Sequence, residues 1–137
     1  MAAAPVDHLV ALPDNMDFTS AAALLVNHHT THFALAQRGR LQPGETLLVL
    51  GAAGGIGSAA VQVGKGLGAR VIAGVASRSQ FPVAEAAGAD SVVVIAGSFS
   101  VPVKELTAQR GVVPCSIRSA TGCSKSQCAV WRPRDER

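Results

Sequence analysis

The chain of 137 residues contains no tyrosine, and its aromatic complement is four phenylalanines and one tryptophan. Any chemistry that needs a tyrosine as its proton donor is therefore excluded. No apolar run approaches the roughly 18 residues that a bilayer-spanning helix requires. The Met1-Ala2-Ala3-Ala4-Pro5 start lacks the basic and apolar regions of a signal peptide, so a cytoplasmic protein with no membrane partner is expected. Cysteine is scarce and confined: Cys115, Cys123 and Cys128 all fall in the last 27 residues. Their spacings of eight and five do not match the paired ligands of structural zinc.

Net charge is missing from most of the chain. Residues 1–110 hold seven basic side chains against seven acids, so the formal +3 lies wholly in the tail. There Arg118, Lys125, Arg132, Arg134 and Arg137 face only Asp135 and Glu136. Those five cations could meet phosphates, but they lack interleaved aromatics or a docking fold, and nucleic acid is not expected as a partner. With 48% hydrophobic residues, what remains is enough for one modest domain with a real core.

The most informative stretch is Leu47-Leu48-Val49-Leu50-Gly51-Ala52-Ala53-Gly54-Gly55-Ile56-Gly57, an apolar run that breaks into glycines and continues as Ser58-Ala59-Ala60-Val61-Gln62-Val63. It reads as strand, tight turn and helix. In such a corner one glycine lets the chain turn, one lets backbone N–H groups approach a pyrophosphate, and one lets the helix sit close on the strand. Gly51, Gly54 and Gly57 fit a dinucleotide fingerprint, while Gly51, Gly55 and Gly57 fit the G-x-x-x-G-x-G turn of short-chain dehydrogenases. The second pattern needs a catalytic tyrosine and sits at the start of its chain, so it is set aside. Gly68-Ala69 and a second apolar run, Arg70-Val71-Ile72-Ala73-Gly74-Val75, then complete a βαβ unit. The alternative is a glycine turn with no ligand.

The remaining elements follow in order. Residues 5–13 read as a short strand ending at Pro13. Asp17-Phe18-Thr19-Ser20 offers caps for a helix through Leu35 to a stop at Gly39. Leu41-Gln42-Pro43-Gly44-Glu45 is a turn. Ser77-Arg78-Ser79 caps a helix to about Ala87, with Pro82 in its first turn. Gly88-Ala89-Asp90 ends it, and Ser91–Ile95 is a third strand, its continuous apolar run suiting a buried parallel sheet. A weaker helix is expected over Val101 to Ala108. A fourth strand is announced by Gln109–Val113 but not delivered, because from Pro114 the text loses periodicity and a disordered tail is the plain expectation. Without that strand, the strand that leads into the glycines would expose unpaired backbone along an apolar edge.

Residues 6–113 resemble the zinc-free quinone oxidoreductases of the medium-chain dehydrogenase/reductase superfamily, the zeta-crystallin-like group. The carrying residues are Leu12-Pro13-Asp14, Ala21-Ala22-Ala23-Leu24, Leu41–Glu45, Gly51–Gly57 through Gln62, Lys65, Leu67–Ala73 and Gly88-Ala89-Asp90. Enoyl reductase modules of polyketide synthesis share much of this pattern. The resemblance implies an α/β fold: a partial Rossmann-type doubly wound parallel sheet of about three core strands with flanking helices and an irregular C-terminal tail. In domain terms, 1–18 would lead in from an absent catalytic domain, 19–113 would be an incomplete dinucleotide-binding domain, and 114–137 an irregular basic tail.

The resemblance also implies the site. The corner Gly51, Ala53, Gly54, Gly55, Ile56 and Gly57 would hold the pyrophosphate, and Thr30 matches the family's threonine that meets the nicotinamide. Where an NAD enzyme carries an acid about 20 residues past the glycines, this chain has Ala76, Ser77, Arg78 and Gln80. With no carboxylate to repel it and one guanidinium near, a 2′-phosphate is favoured: NADPH is the expected cofactor and NADH the alternative. The family often has lysine where Gln80 stands, and Arg78 has an ordinary solvated arginine as its alternative reading. No residue takes a catalytic or metal role. His28 and His32 share a helix face four residues apart, but no Glu lies between them and no third ligand is evident. An intact relative would pass hydride to a quinone or an α,β-unsaturated carbonyl, with a homodimer as an allowed assembly. This chain is expected to be a truncated piece, inactive alone. A non-catalytic nucleotide-binding or interaction remnant is the rival.

A reading-frame slip near Val113 accounts for the tail. One permissible codon choice for Pro114 to Arg137, read from the third base of each codon, spells VFDPVGDRLFEESVRCLAPEGRA. This is the apolar strand, D-x-V-G, helix and glycine turn with which the family continues.

Overall fold

A computed structural model of the chain describes residues 4–9, 11–95 and, for their backbone, 113–116. The helix expected over 101–108 and most of the tail lie outside the described residues.

Four parallel strands form one sheet in the order β3-β2-β1-β4. They are β1 (Thr46–Leu50), β2 (Arg70–Val75), β3 (Ser91–Val94) and β4 (Val113–Ser116). Among the described residues α1 (Phe18–His32) precedes β1, while α2 (Gly55–Gly66) and α3 (Phe81–Ala86) connect β1 to β2 and β2 to β3. This is the doubly wound α/β arrangement expected, with β1 at the point where strand order reverses.

Side-chain alternation along β1 explains the layering. Leu47 and Val49 face one way and pack with Val71, Ala73 and Val75 of β2 against Ala60 and Val61 of α2. Leu48 faces the other way, with Ile72 and Val93. Both faces of the sheet are thus buried, which suits a continuous apolar run and contributes about 1.5–3 kcal/mol for each large side chain removed from water. Gly64 permits the close seating of α2, since a methyl group there would lie 2.5 Å from Leu47 Cδ2 and 3.2 Å from Val71 Cγ2.

α1 begins at an N-cap where Asp17 accepts from the Ser20 backbone N–H at 2.9 Å and from its hydroxyl at 2.6 Å. The hydroxyl and amide of Ser20 hold the Asp17 carboxyl below its usual range. Past His32 the coil widens into a π-helical turn, Phe33–Arg38, which buries Leu35 before Gly39. The Leu41–Glu45 turn is as expected, with Gly44 at φ +83°. At the far side of the sheet, Asp90 joins Lys65 at 2.7 Å and accepts from the Val71 N–H at 2.7 Å, tying α2, β2 and the start of β3 together. Among the described residues no helix is long and apolar enough to cross a membrane.

Two expectations are corrected. Residues 5–13 are not a strand: Val6–His8 form a single 3-10 turn, and Val6 and Leu9 are 77% and 62% exposed. The apolar spacing suits a strand, but β3 and β4 terminate the sheet and no described strand pairs with this segment. The fourth strand, expected to be missing, is present as β4. It runs parallel to β1, with Leu47 opposite Val113 and Leu50 opposite Ser116. The reason is positional. Proline is excluded from the middle of a sheet but tolerated on an edge, and β4 is the edge strand among the described residues, so Pro114 opposite Leu48 does not prevent pairing. The edge of β1 is therefore covered.

Candidate functional site

The end of β1 leads directly into the glycine corner. Gly51 takes φ +72°, a left-handed conformation that costs other residues about 1 kcal/mol, and so turns the chain out of the sheet. The turn is fastened by the Gly74 carbonyl of β2, which accepts from both Gly51 N–H at 2.9 Å and Ala52 N–H at 3.0 Å. Gly54 N–H folds back on Gly51 O at 3.0 Å, and Gly54 becomes the N-cap of α2 with no side chain to satisfy the helix start.

Helix starts leave N–H groups without intrahelical partners. Here the N–H groups of Ala53, Gly55, Ile56 and Gly57 find no acceptor among the described residues, and Ser58 is the first to bond backward, to Gly54 O at 2.8 Å. Gly54 and Gly55 are exposed, so this cluster opens to solvent at the positive end of a helix of 12 residues. Gly57 has a separate job. A methyl group on it would collide with the Gly51 carbonyl oxygen and lie 2.8 Å from Ala52 Cα, so only glycine lets α2 start this close to β1. The three functions expected of the motif are divided among Gly51 for the turn, Gly54 and Gly55 for open backbone, and Gly57 for close packing.

The end of β2 forms the neighbouring wall. Ser77 precedes a 3-10 turn, Arg78–Gln80, and its hydroxyl lies 2.7 Å from that of Ser79. Gln80 Oε1 accepts from the Ala76 N–H at 2.9 Å, so this side chain shapes the loop where a lysine would extend outward. Arg78 is exposed, and its guanidinium has no hydrogen-bond or ion-pair partner among the described residues. No carboxylate lies between Ala76 and Gln80. The set therefore offers donors and one cation to a ligand, and no negative charge.

α1 supplies the third wall. His28 Nε2 lies 2.8 Å from Gln62 Oε1, which holds α1 on α2, and Nδ1 lies 3.2 Å from Leu24 O within α1, which orients the ring. Among the described residues no three His, Cys, Asp or Glu side chains gather as a metal site. Thr30 is exposed, and its neighbour Thr31 is buried with its hydroxyl donating to Asn27 O at 2.6 Å. Asn27 is the residue sequence reasoning passed over. Its amide nitrogen would lie 3.2 Å from a methyl group on Gly55, so the side chain rests against the first residue of α2. Only its place one turn before Thr30 could have drawn notice to it.

This geometry has known counterparts. No protein-family model matches the chain. Quinone oxidoreductase from Pseudomonas aeruginosa is 42% identical over 83 residues, 61% of this chain and 26% of that protein. Escherichia coli quinone oxidoreductase, solved in complex with NADPH, superimposes with a TM-score of 0.68 at 31% identity over 76% of this chain and 32% of its own. The chain is similar, in sequence and in fold, to quinone oxidoreductases. The highly reducing polyketide synthase curS1 of Aspergillus terreus is also similar, 36% identical over 126 residues, 85% of this chain and 5% of the synthase. The chain thus spans about a third or less of the relatives it matches.

Proposed function

We propose that the chain is the cofactor-binding core of an oxidoreductase that takes NADPH and, in its full-length form, delivers hydride to a quinone or an α,β-unsaturated carbonyl. The observation that carries this is the set of four unbonded N–H groups at Ala53, Gly55, Ile56 and Gly57, opening at the start of α2. Oriented amides and a helix dipole together favour an anion, and a dinucleotide presents a diphosphate.

The rest of the site fits that ligand. Arg78, with Ser77 beside it, would hold a 2′-phosphate, because an unpaired guanidinium attracts it and no acid repels it. Gln80 would contribute its free amide donors while its oxygen stays on Ala76 N–H. Thr30 would meet the nicotinamide, and NADH remains the second ligand to compare. When bound, the nicotinamide supplies the hydride; this chain's residues orient it and exclude water. No side chain here is assigned a proton-transfer role, so binding without turnover is expected of the chain alone. The similarity to a polyketide synthase over 85% of the chain favours an enone as the second acceptor class.

Titration of the protein into NADPH, followed by cofactor fluorescence, tests the reading: saturation is expected, and no binding at millimolar cofactor refutes it. Loss of absorbance at 340 nm on adding a quinone would show that the chain is active alone, against expectation.

A further inference from the structure

We infer that Asn27 is a cofactor-binding residue, whose carboxamide donates a hydrogen bond to the anion seated at the start of α2. The inference rests on the dinucleotide reading and adds to it a ligand from outside the glycine corner. Asn27 lies on α1, a different element, and its carboxamide meets α2 at Gly55: a methyl on Gly55 would be 3.2 Å from Nδ2 and 3.9 Å from Cγ. The Gly55, Ile56 and Gly57 N–H groups find no acceptor among the described residues. A carboxamide beside them can add a side-chain donor to that set, so that an anion at the helix start accepts from both.

The side chain is available for this. Asn27 is only partly buried, and no hydrogen bond to its carboxamide is made by any described residue. The backbone that carries it is nevertheless anchored. The backbone oxygen of Asn27 receives the buried Thr31 hydroxyl at 2.6 Å, and the adjacent His28 is bonded across to Gln62 of α2 at 2.8 Å. These contacts keep residue 27 beside the helix start and leave its carboxamide uncommitted. Gly55 leaves room for this, since a methyl group there would crowd the carboxamide at 3.2 Å and shift it by a few tenths of an ångström.

Asn27→Ala and Asn27→Asp test the assignment, with NADPH and adenosine 2′-monophosphate as the probes; the second carries the adenine end without a diphosphate. A hydrogen bond to a charged acceptor predicts about a tenfold weaker dissociation constant for NADPH in Asn27→Ala. In Asn27→Asp, where a carboxylate faces the diphosphate, about fiftyfold or more is expected. Affinity for adenosine 2′-monophosphate should stay within twofold in both. Gly55→Ala should weaken NADPH in the same direction with Asn27 intact. NADPH affinity within twofold of wild type in both Asn27 variants overturns the inference while leaving the dinucleotide reading standing. Equal weakening for both probes, accompanied by a lower melting temperature, also overturns it, because that pattern marks a structural role. Failure of the wild-type chain to bind NADPH overturns both.

Discussion

Replacing Gly57 by alanine sets two opposed effects against each other, and the structure decides the sign. Alanine is the better helix former by about 1 kcal/mol, and Gly57 lies in the first turn of α2, so propensity alone predicts stabilisation. The added methyl, however, would overlap the Gly51 carbonyl oxygen and stand 2.8 Å from Ala52 Cα and from Gly51 C. All three are backbone atoms pinned by the two hydrogen bonds that Gly51 N–H and Ala52 N–H donate to Gly74 O, so no side chain can rotate away. Relief requires α2 to slide outward by the order of 1 Å, which loosens Ala60 and Val61 from the core; such overpacking costs about 1–3 kcal/mol. The expected net effect is a loss of up to about 2 kcal/mol, at about 4 °C in melting temperature for each kcal/mol, where the ranges for smaller and larger domains meet. The displaced N–H groups should also weaken NADPH at least tenfold. Gly66→Ala is the internal control, because nothing lies within 4 Å of its added methyl and the helical gain of about 0.5–1 kcal/mol should appear unopposed. Urea unfolding of the three proteins, with cofactor titration, reads both effects. A Gly57→Ala protein as stable as Gly66→Ala, with wild-type affinity, would refute the claim that close packing of α2 builds the site.

Arg78→Glu should weaken NADPH by about tenfold or more and leave NADH within twofold, since only the former carries a 2′-phosphate; equal effects on the two dissociation constants would remove Arg78 from the site. The Asp90 carboxyl is raised by partial burial, but its hydrogen bonds from Lys65 and Val71 N–H and the charges of Lys65 and Arg70 prevail and hold it below its ordinary 3.8. A carboxyl depressed on folding stabilises the protein fully above its unfolded value, and loses that contribution as pH falls through the folded one. Asp90→Asn should therefore cost about 0.5–1 kcal/mol at pH 7, and its gap to wild type should close below about pH 4 in urea unfolding series. Nucleotide sequencing is expected to find codons for 114–137 that, read from their third bases, spell the continuation of a quinone oxidoreductase; any other codon set disproves the frame slip.

The central βαβ unit was legible because each of its residues is constrained by one local cause. Leu47 to Leu50 must be buried on both faces, Gly51 must turn with positive φ, and Gly57 must lack a side chain; these demands leave a signature in a single stretch. The two misread strands fail for a shared reason. Strand identity is settled by pairing, and pairing is not written in the strand's own residues. The segment Val6 to Leu12 has suitable apolar residues and no described partner, whereas Val113–Ser116 contains a proline and still pairs with β1, because an edge requires hydrogen bonds on one side only.

The same distinction applies to the site. The glycine corner and the loop at Ser77–Gln80 each lie within a few residues of one strand end, so sequence spacing brings them into view. Asn27 does not share a strand, a motif or a neighbourhood in sequence with Gly55; 28 positions separate them. What joins them is the seating of α1 on α2 through His28 and Gln62, a bond between two polar side chains that composition and periodicity do not register. A residue that serves a backbone anion site from a second helix is found only once the packing of the two helices is known. In a chain whose glycines already explain why α2 starts where it does, that packing gives the position one turn before Thr30 a chemical reason to carry an amide.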